Sequence, residues 1–163
     1  MQNKKTEHSY IEILKRSLEK KSAVLDKIME ENRQMAVVAE ANKFDPDAFD
    51  EIFDRKDALI EELNQLDAGF RKVYEHVQEE LKENSAEHKE DIARLQQLIT
   101  EITDKSVAIQ VEEKRNQAAL NNRMDIFKRE LVQTKNTRKI MANYYNNMTG
   151  RNVVEPQFMD KKK

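Results

Sequence analysis

Ala41-Asn42-Lys43-Phe44-Asp45-Pro46-Asp47-Ala48-Phe49 is the stretch on which the architecture turns. Aspartate followed by proline is a helix start: the carboxylate accepts from backbone N–H groups that have no partner in the first turn, and proline at the first helical position has no N–H to lose. On the upstream side, Ile11, Leu14, Leu18, Lys21, Leu25, Ile28, Asn32 and Met35 recur with the alternating 3–4 spacing of a coiled-coil seam, interrupted by two polar residues. On the downstream side, Phe49, Ile52, Lys56, Leu59, Leu63, Leu66, Phe70, Val73 and Val77 continue the spacing with Lys56 as the one interruption. Two amphipathic helices therefore meet at a turn near residue 44. Ser9 with Glu12 fits a capping box for the first helix, with Thr6 as a competing start.

A third seam runs through Ile92, Leu95, Ile99, Ile102, Ser106 and Ile109, weakens at Glu113 and Asn116, and recovers at Leu120, Met124, Phe127 and Leu131. The break before it, near Asn84-Ser85, rests on an Asn84 cap with Glu87 three residues on. A turn is expected there, because one helix from 46 to 148 would run about 150 Å and leave most of its seam unpartnered. The fold class is thus all-α: an elongated antiparallel three-helix bundle or coiled coil over residues 1–122. A C-terminal helical arm over 123–149 projects from it, and a basic tail follows over 150–163.

The turn positions give a register. A turn centred on residue 44 sets Lys21 opposite Asp67 and Lys56 opposite Asn32, and a turn near 84 brings Lys56 close to Glu112 and Glu113. A polar layer of Asn32, Lys56 and Glu113 follows, of the kind that fixes helix register at a cost in stability. In the alternative arrangement the lysine stems lie along apolar surface and carry their ammonium groups to water. The pattern allows both.

Composition narrows the function. The 163 residues are 38% apolar, below the roughly 45–50% of an average globular domain. Two glycines and two prolines supply no phosphate-binding loop and no dinucleotide fingerprint. The absence of cysteine removes disulfides, thiolate metal sites and a cysteine nucleophile. No apolar run is long enough to span a membrane, no secretory signal is read at the N-terminus, and a cytoplasmic protein is expected. No serine has a histidine at an informative spacing, and carboxylate pairs such as Glu61-Glu62 sit on charged helix faces, so no enzyme is expected. His8, His76 and His88 fall toward one end of the bundle near Glu80, but lack the tight helical spacing of a zinc motif. They read as solvated surface residues, with no metal and no cofactor.

Charge is divided unevenly. Residues 1–122 carry 19 basic and 27 acidic side chains, net −8, and residues 123–163 carry 10 basic and 4 acidic, net +6. By the register, the second helix covers the third only to about residue 122. Met124, Phe127, Leu131, Met141, Tyr144 and Tyr145 would then lie on the arm without an intrachain partner, as a stripe for a protein partner. Nucleic acid is disfavoured because the bundle is not basic overall. A membrane-surface helix is disfavoured because Thr134 and Arg138 interrupt the apolar face.

The stretch Ile13-Leu14-Lys15-Arg16-Ser17-Leu18-Glu19-Lys20-Lys21 resembles the FlgN-type flagellar export chaperones. So does Ala48-Phe49-Asp50-Glu51-Ile52-Phe53-Asp54-Arg55-Lys56-Asp57-Ala58-Leu59-Ile60-Glu61-Glu62-Leu63, as does the ending from Ala142-Asn143-Tyr144-Tyr145 to Lys163. The resemblance implies a cytosolic, non-enzymatic helical chaperone that holds hook-filament junction proteins of the FlgK and FlgL type and delivers them to the export gate. It also implies that the C-terminal helical region takes the client and that a tyrosine there, matching Tyr144 or Tyr145, docks to the gate component FlhA. A sister chaperone of the FliT type shares the physics and differs in client; length favours the FlgN type. The competing class is a structural coiled-coil adaptor that self-associates through the arm. A monomer would fit the chaperone and a tight dimer the adaptor.

Overall fold

The computed structural model describes residues 2–130, 139, 140, 142–144 and 146. Three long helices account for nearly all of it: α1 (Gln2–Glu40), α2 (Pro46–Glu83) and α3 (Lys89–Glu130), with no strand among the described residues. The expected all-α bundle is what the chain forms.

Asp45 caps α2 as expected: its Oδ1 accepts from the backbone N–H groups of Asp47 at 3.1 Å and Ala48 at 3.2 Å, and Pro46 opens the helix. The second turn falls where expected, over residues 84–88, but Asn84 closes α2 rather than opening α3. Its N–H donates to the Glu80 carbonyl at 2.9 Å. Neither Ser9 nor Thr6 starts α1, which already runs from Gln2.

α1 makes the close backbone approaches to both α2 and α3, whereas α2 and α3 hardly approach one another. The side chains that close the bundle form two apolar clusters. One holds Leu14, Leu25, Ile28, Leu63, Val77, Leu98 and Ile109 among others. The second, at the α1–α2 turn, holds Met35, Ala39, Phe44, Phe49, Ile52, Phe53, Leu120 and Met124. Each large apolar side chain fully withdrawn from water contributes about 1.5–3 kcal/mol. In α3 the residue that turns inward is Leu98, 1% exposed, and not Ile99, which the seam had placed there and which is 37% exposed.

Between the clusters lies the polar layer. Asn32 and Lys56 are buried, and the Lys56 ammonium donates to Glu113 Oε1. Asn32 Nδ2 donates to Glu112 Oε1 at 3.2 Å, and Asn116 Nδ2 donates to the Asn32 carbonyl at 2.9 Å. Asn32 Oδ1 is buried without a hydrogen-bond partner among the described residues. Burial pushes the Glu113 carboxyl above its usual range, against the opposing pull of the Lys56 charge and the hydrogen bonds from Lys56 and Asn32. Lys21 also pairs with Asp67 at 2.5 Å, both buried. The register arithmetic therefore holds at both lysines, and their ammonium groups do not escape to water.

Candidate protein-binding surface

Three of the six residues expected on a projecting arm are folded against the bundle. Met124 and Tyr144 are buried, Phe127 is half-buried, and all three join the cluster at the α1–α2 turn. The Phe44 ring centroid lies 5.5 Å from that of Phe127 and 5.6 Å from that of Tyr144, both edge-on. Tyr144 also meets Phe49 at 5.0 Å, and Phe49 meets Phe53 at 4.7 Å. A straight helix would carry residues 127 and 144 about 25 Å apart. Helical residues 142–144 therefore lie back against the end of the bundle instead of continuing the axis of α3.

The physical reason is Phe44. It protrudes from the turn at the level where α2 begins and supplies the partner that register arithmetic on helices alone could not see. Burial raises the Tyr144 hydroxyl above the usual tyrosine range, and the carboxylates of Asp50, Asp47 and Asp45 add to the shift. Arg123 secures the same turn, donating to the Asn42 carbonyl at 3.0 Å with its guanidinium 5.8 Å from the Phe44 ring centre. Leu131, Met141 and Tyr145 lie outside the described residues, as does the tail over 150–163.

The surface that remains open is elsewhere. Where α2 and α3 fail to close over α1, a cleft of about 280 Å³ is lined by Leu18 and Lys21 from α1, Phe70, Arg71 and Tyr74 from α2, and Ile99, Ile102 and Thr103 from α3, among others. Phe70 and Tyr74 are stacked, centroids 6.0 Å apart and nearly parallel. Tyr74 and Ile99 are each 37% exposed on opposite walls. The Lys21–Asp67 pair lines it as well. On α3 the exposed apolar surface continues through Val107 and Val111.

The sequence carried one signal for this cleft. Tyr74 follows Phe70 by one helical turn but falls off the seam, so it adds an aromatic side chain that the seam does not use.

At the end of the bundle away from the α1–α2 turn, His76 and His88 make contacts that the sequence did not suggest. His76 stacks on Tyr10 with centroids 5.2 Å apart. His88 is half-buried, with Nε2 3.3 Å from Glu80 Oε1 and Nδ1 3.7 Å from Asp91 Oδ2. His8 and His76 are both exposed, as the solvated reading expects. Glu80, Glu87 and His88 hold their ligand atoms within 4.8 Å of one another, so an ion would find three donors there. Asp91 in turn is held by Lys15 at 2.8 Å, which lowers its carboxyl below the usual range.

No helix among the described residues is long and apolar enough to cross a membrane. Comparison with known protein families, with curated proteins and with solved structures finds no match to this chain.

Proposed function

We propose that the chain is a cytoplasmic, non-enzymatic export chaperone of the FlgN type. It holds an amphipathic terminal helix of a hook-filament junction protein and delivers it to the export gate. The observation that carries this reading is the α2–α3 cleft: an apolar, aromatic-walled groove on a helical scaffold is the geometry of helix-in-groove capture. The three-helix architecture is in keeping with what the resemblance implies.

Within this reading the client surface is the cleft and not an arm, because Met124, Phe127 and Tyr144 already pack within the chain. The same burial leaves less apolar surface for self-association through residues 123–148. If the gate-docking tyrosine is Tyr144, it serves only after leaving Phe44 and Phe49, so gate docking and the packed bundle end compete for one side chain.

The test is calorimetric titration of the full chain with terminal helical segments of flagellar junction and cap proteins, repeated on a Tyr74→Asp, Ile99→Asp variant. The wild-type chain is expected to bind a junction segment. The variant is expected to lose that binding while its circular-dichroism spectrum stays helical and its melt remains above the titration temperature, since both side chains are partly exposed. Failure of every segment to bind would overturn the chaperone reading.

A further inference from the structure

The cleft has a charge as well as a shape. Three of the side chains that line it carry ionisable groups: Lys21, Asp67 and Arg71. Lys21 and Asp67 are buried against each other at 2.5 Å, so their charges offset. Arg71 is exposed at the cleft and has no ion-pair partner among the described residues. The α3 wall, Ile99, Ile102 and Thr103, contributes no charge at all. A single uncompensated guanidinium thus stands beside an aromatic pair, on a bundle whose first 122 residues are net −8.

The walls also limit the backbone of an occupant. α2 and α3 run through the cleft as helix without interruption, so their N–H and C=O groups are spent within each helix. An extended peptide would find nothing to pair its own backbone with, whereas a helix brings its hydrogen bonds with it. Phe70 with Tyr74 and Ile99 with Thr103 each repeat after one turn, which matches a helical occupant packed along the groove.

We infer that the α2–α3 cleft selects a partner helix that carries a carboxylate one turn from the apolar side chain entering between Tyr74 and Ile99, and that Arg71 reads this carboxylate. The inference rests on the cleft being the docking site. Guanidinium suits the task because its planar fork meets a carboxylate with two parallel N–H donors, which a lysine in its place could not do.

The probe is a pair of fluorescently labelled amphipathic helical peptides, identical except for Glu or Gln one turn from a central leucine, titrated by anisotropy into the full chain. Wild type is expected to bind the Glu peptide about fivefold more tightly than its Gln twin at low salt, with the preference shrinking as salt rises. Arg71→Gln should bind the two peptides equally while keeping the wild-type affinity for the Gln twin. Arg71→Lys should recover only part of the preference. Equal binding of both peptides by the wild-type chain would overturn the carboxylate selection and leave the docking site standing. Binding of neither peptide would overturn both. A concentration-dependent dimer in sedimentation, broken by Ile99→Asp, would assign the cleft to a second copy of this chain and overturn the inference. The circular-dichroism melt of each variant separates these results from loss of fold, and Arg71, being exposed, is expected to leave the melt unchanged.

Discussion

Removing Glu113 should destabilise the bundle far more than removing its partner, and the asymmetry follows from where each charge sits. The Lys56 side chain is 2% exposed and that of Glu113 is 14% exposed. Glu113→Leu leaves a buried ammonium with no carboxylate, a loss of about 3–5 kcal/mol, out of a total of about 5–15 kcal/mol for a domain. With a urea slope of about 2 kcal/mol/M, the midpoint should fall by about 2 M. Lys56→Met leaves a carboxyl whose affinity for protons is already raised by burial, so it can shed its charge, and the cost should be about 1–2 kcal/mol near pH 7. That cost should shrink further near pH 5. A carboxyl with a folded pKa above its unfolded value contributes its full stability below the unfolded value and loses it as pH rises through the folded one. The double variant, Lys56→Met with Glu113→Leu, exchanges the pair for apolar volume and should fall within about 1–2 kcal/mol of wild type. Urea titrations of the four proteins followed by circular dichroism read all of this. If Glu113→Leu moves the midpoint by less than about 0.5 M, or if the two single effects simply add, the layer does not bind its charges as described.

Three further outcomes can be checked on the same preparation. Asp45→Ala should cost about 1 kcal/mol in urea unfolding, because two backbone N–H groups at the start of α2 lose their acceptor. Tyr144→Phe should flatten the loss of stability at alkaline pH: the buried hydroxyl stabilises the fold fully below the ordinary tyrosine range and less as pH climbs above it, so wild type should lose melting temperature there faster than the variant. Phe127→Ala should cost about 2 kcal/mol, less than for a fully buried phenylalanine, since Phe127 is only half-buried against Phe44. A silent Phe127→Ala would mean that the aromatic cluster does not hold the turn.

Helix number, both turns and the axial register were legible in the sequence because they depend on local chemistry and counting. Asp45-Pro46 marks a start whatever surrounds it, and the Lys21–Asp67 and Lys56–Glu113 pairs follow from where the turns lie. What lay beyond reach depends on rotation and on the return of the chain. The seam could not choose between Leu98 and Ile99, neighbours about 100° apart on the helix, because both are apolar; packing against α1 chose Leu98. The fate of Tyr144 was hidden for a different reason. Its partner, Phe44, sits in the turn where helical periodicity is silent, and no glycine or proline between residues 130 and 144 signals a reversal. The cleft likewise reflects how far α2 and α3 stand apart, which no single helix encodes.

The polar layer has a consequence for how the molecule comes apart. It interrupts the apolar interior across all three helices, with Ile28, Leu63 and Ile109 on one side and Met35, Phe53 and Leu120 on the other. Where apolar contact is interrupted, local opening on one side need not disturb the other, so the two halves are expected to open to different extents below the global transition. The turn end, with Tyr144 docked on it, can open while the half that carries the cleft stays closed. Amides around Phe49–Phe53 should therefore exchange with solvent sooner than those around Leu25–Ile28, although Phe49, Phe53, Leu25 and Ile28 are all hidden from water.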